Sequence, residues 1–137
     1  MTCRECREHL VIMLFQSEFH ETEELPEQMK YYMESVAAPE SEEEEYIKSK
    51  YEKTYAIKDE IDQLLEQVSE GWKVKRMSKV DLSIMRLAVY EMKYDEEIPV
   101  GVAINEAVEI AKKYGQDSSP SFVNGILAKV AEEISKG

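Results

Sequence analysis

Ser78-Lys79-Val80-Asp81-Leu82-Ser83-Ile84-Met85-Arg86-Leu87-Ala88-Val89-Tyr90-Glu91 is the stretch whose reading decides the fold class. Ser78 followed three residues later by Asp81 resembles a capping box. Val80, Ile84, Leu87 and Ala88 then recur three or four apart, the period of a buried helical face. The helix so predicted ends near Tyr94.

The same period continues toward the C-terminus. Pro99 marks a first helical turn, Ala103, Ala107, Ile110, Ala111 and Tyr114 follow on one face, and Gly115 is a stop. Asp117-Ser118-Ser119-Pro120 supplies N-cap residues and a first-turn proline for a last helix. Phe122, Ile126, Val130 and Ile134 form one edge of it and Val123, Leu127 and Ala131 the other, which predicts burial on a broad front. Gly125, in the middle of that helix, is expected to permit a close helix–helix approach, because mid-helix Gly costs about 1 kcal/mol relative to Ala.

Toward the N-terminus the signals are also helical. Ile47, Tyr51, Thr54, Ile61, Leu65 and Val68 recur at helical spacing with no Gly or Pro among them, so one long helix is predicted from Glu42 to Glu70, stopped by Gly71. Pro26 opens a shorter amphipathic piece through Met29, Tyr32, Met33 and Val36, closed before Pro39. Leu10, Val11, Met13, Leu14 and Phe15 mark a first helix over roughly residues 2–20. Six or seven helices with short connections and no strand predict an all-α, compact helical bundle.

The chain has 137 residues, 43% apolar and 34% charged, which suits one domain spanning 1–137 with a packed core. No apolar run reaches the ~20 residues of a membrane span, and the start lacks a secretory apolar region, so a cytoplasmic protein with no membrane partner is expected. With Cys3 and Cys6 alone, no disulfide framework is expected as the source of stability.

Net charge is −12, which taken whole argues against a nucleic-acid partner. Its distribution argues otherwise. Residues 1–70 carry 19 acids and 7 bases, whereas residues 71–137 carry 10 of each. Acid runs such as Glu42-Glu43-Glu44-Glu45 read as solvated helix starts or loops.

No Gly-rich phosphate loop, nucleophile elbow or H-E-x-x-H pair occurs, and the many carboxylates lie in runs instead of facing pairs, so no enzyme and no cofactor are expected. Cys3, Cys6, His9 and His20 are the ligand types of a Cys₂His₂ zinc site, but all four fall on one helix with the wrong spacing, so no metal is expected either.

The positive signal is local. Lys73, Lys75, Arg76 and Lys79 place four bases in seven residues, and Arg4 and Arg7 stand one helical turn apart. If the first helix and this connector lie side by side, six cations converge near the helix start at Ser118 and Ser119, whose N–H groups suit phosphate. Phe122 is either a core residue, which spacing alone favours, or a platform for an unpaired base. Asn105 and Asn124 interrupt apolar faces, and the plain reading of each is a buried side chain satisfied by neighbouring backbone.

Three segments resemble the NusB family of bacterial transcription antitermination factors. They are Trp72 through Arg76, Val80 through Glu91, and Ile98-Pro99 with Val102 through Glu109. The likeness continues through Ala111-Lys112, Tyr114-Gly115 and Ser119 to Phe122-Val123-Asn124-Gly125-Ile126-Leu127. Arg7-Glu8 with Leu14-Phe15 resembles the family's first helix. Residues 72–128 match densely and in order, residues 20–70 only as a helical pattern. The resemblance implies an all-α fold of two small packed subdomains.

It also implies a role. NusB-like proteins bind the single-stranded boxA element of nascent RNA together with NusE, a small-subunit ribosomal protein, and the complex modifies RNA polymerase so that ribosomal RNA operons are read through terminators. The resemblance implies Arg4, Arg7, Ser118, Ser119 and Phe122 for RNA; with the basic residues Lys75, Arg76 and Lys79 and with Asn124 they make up the expected RNA-binding set, and Phe15, Phe19 and Asp81 are expected at the shared RNA and NusE edge. Many members begin with a denser arginine cluster than Arg4 and Arg7 interleaved with Cys3 and Glu5, so modest, salt-sensitive RNA affinity is expected, with NusE supplying the remainder. A related domain occurs attached to ribosomal RNA cytosine methyltransferases, for which 137 residues leave no room. The second reading is an adaptor whose acidic half binds a basic ribosomal protein. Both a monomer and a homodimer are compatible with the residues.

Overall fold

The computed structural model describes all residues, Met1–Gly137. Seven α-helices and two short 3₁₀ turns make up the fold: α1 Cys3–Ser17, a turn at Thr22–Glu24, α2 Leu25–Val36, α3 Glu42–Ala56, α4 Lys58–Val68, a turn at Val74–Arg76, α5 Lys79–Tyr94, α6 Val100–Tyr114 and α7 Ser119–Lys136. The all-α architecture read from the sequence is present. Two compact units divide the chain, Met1–Ala56 and Ile57–Gly137.

In the first unit α1 packs on α3. Thr2 caps α1 reciprocally: its Oγ1 accepts the Glu5 N–H at 3.1 Å, and the Glu5 carboxylate accepts the Thr2 N–H at 3.1 Å. Those bonds hold the Glu5 carboxyl below the ordinary carboxylate range. Leu10, Val11, Met13 and Leu14 from α1, Met33 from α2, and Ile47 and Tyr51 from α3 are buried. Each such side chain contributes about 1.5–3 kcal/mol when withdrawn from water. The run Glu42–Glu45 forms the first turn of α3, where the helix dipole favours negative charge.

The predicted helix from Glu42 to Glu70 is two helices. Ile57 leaves helical geometry at φ −109°, ψ 22°, and α4 begins at the next residue. No Gly or Pro marks the place because the break is tertiary: Ile47, Tyr51 and Thr54 are buried in the first unit, Ile61, Leu65 and Val68 in the second. The stop beyond α4 is as expected in kind, with Glu70 at φ 52° and Gly71 at φ 99° turning the chain through the left-handed region.

In the second unit α5, α6 and α7 pack on one another and α4 packs on α5 and α7. α5 is the central helix. Every residue from Asp81 to Val89 is buried, which explains why its apolar positions run almost all round the helix. Its Arg86 is satisfied by Asp62 of α4.

Two expectations are corrected. Gly125 is exposed and a Cβ there would meet nothing within 4 Å, so it serves no close helix approach. Gly115 does: a Cβ at that position would lie 2.6 Å from the Ser119 Cβ and Oγ and 2.8 Å from the Ala111 carbonyl. Asn105 and Asn124 are both exposed, not buried, because each falls on the outer side of its helix.

Candidate nucleic-acid interface

The basic turn of the second unit is built from its backbone outward. After the left-handed pair Glu70-Gly71, Ser69 Oγ donates to the Trp72 carbonyl at 2.8 Å, and the Glu66 carboxylate accepts the Val74 N–H at 2.9 Å. Met77 is buried beneath the turn, and Ser78 Oγ accepts the Asp81 N–H at 3.0 Å to start α5. A segment held at four points thus turns Lys73, Lys75, Arg76 and Lys79 outward, and all four are exposed.

Beside them stands an aromatic pair. Trp72 is 52% exposed and meets Phe122, in the first turn of α7, edge to face with ring centroids 5.9 Å apart. Phe122 is half-buried, between the two alternatives its spacing left open. Trp72 was not among the predicted site residues. Its position directly after Gly71 and before the basic run was the available signal.

At the start of α7 the two serines separate. Ser118 is exposed at the N-cap, and its carbonyl accepts the Phe122 N–H at 3.1 Å. Ser119 is only 2% exposed, and its Oγ accepts the Gln116 N–H at 3.0 Å. The side chain predicted to face RNA is therefore turned inward, because the loop between α6 and α7 needs an acceptor and Gly115 leaves room for one. Asn124 is exposed on α7.

In the first unit, Arg4 is exposed in the capped first turn of α1, whereas Arg7 is 5% exposed and belongs to the interior. Farther along α1, Phe15 is half-buried and Phe19, just beyond the helix, is 59% exposed, their rings edge to face at 5.1 Å. Asp81, expected on the NusE edge, is in the first turn of α5 and 7% exposed, with its Oδ1 buried and without a hydrogen-bond partner. The sequence-predicted residues thus divide between the two units, with Lys75, Arg76, Lys79, Asp81, Ser118, Ser119, Phe122 and Asn124 in the second and Arg4, Arg7, Phe15 and Phe19 in the first.

Chemically, the Trp72–Lys79 cluster offers cations, apolar ring faces and a helix N-terminus, the components that bind the phosphates and bases of an unpaired strand. No helix is long and apolar enough to cross a membrane.

Comparison with known proteins agrees with the resemblance. The chain is 56% identical over 132 residues to the transcription antitermination protein NusB of Lachnoclostridium phytofermentans, covering 96% of this chain and 100% of that protein. It is 41% identical over 133 residues to the protein of the same name from Listeria monocytogenes, covering 97% and 98%. Among solved structures, T. maritima NusB superposes with a TM-score of 0.85 at 34% identity, covering 97% of this chain and 92% of that one. The fold is shared with the antitermination factor NusB crystallised with NusE and double-stranded RNA, at a TM-score of 0.82, 22% identity and coverage of 95% and 96%. The NusB family model matches residues 4–132, and with that match and those relatives the chain belongs to the NusB family.

Proposed function

We propose that this chain is an RNA-binding transcription antitermination factor that binds boxA RNA together with NusE and promotes read-through of ribosomal RNA operons as part of an RNA polymerase complex. The observation that carries the reading is the exposed basic turn Lys73–Lys79 set beside the Trp72–Phe122 pair in a chain matched by the family model over residues 4–132. A solved relative of the same fold, crystallised with NusE and RNA, supports the choice of partners.

In this reading Lys75, Arg76, Lys79 and Arg4 neutralise phosphates, and Trp72, Phe122 and Asn124 meet bases. Ser118 presents the α7 N-terminus. Ser119 and Arg7, both buried, act by holding their helices in place instead of touching RNA. Phe15 and Phe19 offer an aromatic edge to NusE, and Asp81, buried in the first turn of α5, contributes by shaping the start of that helix and not by direct contact. The protein works by binding and not by catalysis.

The test is RNA titration with and without NusE, using boxA and a scrambled RNA of equal length, at two salt concentrations. Preferential boxA binding that strengthens with NusE is expected. Equal binding of both RNAs in both conditions refutes the reading.

A second reading, the adaptor for a basic ribosomal protein, is favoured by the first unit, whose 14 acids and 6 bases give a balance of −8. It predicts capture of NusE with no RNA retained when both are offered.

A further inference from the structure

We propose that Cys3 and Cys6 form a reversible dithiol site, in which Cys3 attacks a small-molecule disulfide such as oxidised glutathione and Cys6 completes an internal disulfide across the first turn of α1. This site is independent of the RNA reading.

The two thiols are placed differently by the same helix turn. Cys3 is the first residue of α1 and exposed, whereas Cys6, one turn on, is 7% exposed with its Sγ 3.6 Å from the Met1 Sδ. An outer thiol at a helix start followed by a sheltered one three residues later is the arrangement of an attacking and a resolving cysteine. From helix geometry, Cα atoms three residues apart are separated by about 5 Å, inside the roughly 4.4–6.8 Å that a disulfide spans. The Cβ atoms of such a pair stand about 5–6 Å apart and a disulfide holds them at about 3.5–4.5 Å, so the turn must tighten by about 1–2 Å. The first turn is where a helix can do so, since its leading N–H groups are not in the helical ladder, and of these the Glu5 N–H is held by Thr2 Oγ1.

The chemistry balances as thiol–disulfide exchange. The Cys3 thiolate attacks one sulfur of the small disulfide, whose S–S bond breaks, and the first glutathione thiolate leaves with the bonding pair and takes up a proton. Cys6 then gives its proton to solvent, attacks the Cys3 sulfur of the mixed disulfide and expels the second glutathione thiolate. The protein loses two electrons and two protons, and the small disulfide becomes two thiols. Burial and the nearby charge of Glu43 push the Cys6 thiol up, which keeps it protonated until the mixed disulfide is alongside. Arg4 and Glu5 lie inside the closed loop, so oxidation stiffens the turn that carries the exposed Arg4.

The test equilibrates the full chain with reduced and oxidised glutathione in graded ratios, traps free thiols by alkylation and reads intact mass. As the mixture becomes oxidising, both thiols are expected to disappear together, giving a monomer lighter by two hydrogens with no glutathione retained. Cys6→Ser should instead hold one glutathione on Cys3, and Cys3→Ser should stay unmodified under the same conditions, with circular dichroism reporting that both variants are helical. Retained glutathione on the wild-type chain, disulfide-linked dimers, or modification of Cys3→Ser as fast as wild type would each overturn the assignment.

Discussion

Arg86 of α5 grips Asp62 of α4 through two parallel hydrogen bonds, Nε to Oδ1 at 2.9 Å and Nη2 to Oδ2 at 2.8 Å, with 5% and 17% of the two side chains exposed. A largely buried pair of this kind is costly to halve, because the Arg86 guanidinium loses two charge-assisted hydrogen bonds at once. Asp62→Ala is expected to lower stability by about 3 kcal/mol, and Asp62→Asn, which keeps one acceptor, by less. Urea denaturation followed by circular dichroism measures both, and a loss below about 0.5 kcal/mol for Asp62→Ala would contradict the account.

Gly115 and Gly125 make opposite predictions. Gly115→Ala drives a methyl group against Ser119 and the Ala111 carbonyl, and overpacking of this size costs about 1–3 kcal/mol. Gly125→Ala adds a methyl to open space within α7 and is expected to stabilise by about 0.5–1 kcal/mol. The two melting temperatures, measured side by side, should move in opposite directions.

Burial, with the neighbouring Tyr55 adding to it, pushes the Tyr51 phenol up to about 12. The folded value lies above the unfolded value near 10, so folding favours the neutral phenol. That contribution is complete below pH 10 and declines as pH rises toward 12. The urea midpoint of the wild-type protein should therefore fall more steeply between pH 10 and 12 than that of Tyr51→Phe; parallel curves would show that the buried phenol does not titrate as described.

Arg4→Ala is expected to weaken boxA binding and to reduce the slope of log affinity against log salt by about 0.7–0.9, the release from one phosphate contact. Because Arg4 is exposed, urea stability should change by less than about 0.5 kcal/mol. Arg7→Ala removes a buried side chain and should lower stability as well, so a double variant would mix the two effects. An unaltered salt slope in Arg4→Ala would remove this residue from the RNA contacts.

Trp72 is the single tryptophan, so fluorescence excited at wavelengths that tyrosine does not absorb reports on the basic turn alone. If bases stack there, boxA RNA quenches it, and Trp72→Ala loses about 1–3 kcal/mol of binding. Unchanged emission at saturating RNA would place the strand elsewhere.

The helices were legible because their causes are local. Ser78, Pro99 and Pro120 mark starts, apolar residues three and four apart mark buried faces, and α5, α6 and α7 lie where those signals place them. The break at Ile57 was not legible, since both halves of the segment have good helical periodicity and only their different tertiary partners separate them. The site divides in the same way. The exposed cations of the Lys73–Lys79 turn follow from charge density in sequence. The inward turn of Ser119, the burial of Arg7 and Asp81, and the seating of Trp72 on Phe122 depend on contacts between residues that spacing does not relate.

Gly115 and Ser119 share one small volume, and the amide of Gln116 depends on how it is divided. The two positions should therefore drift together across relatives. A side chain at 115 can grow only where 119 shrinks, and a relative that makes this exchange must find another acceptor for the loop amide. Compensated pairs at these positions would mark lineages in which the entry to the last helix has been rebuilt.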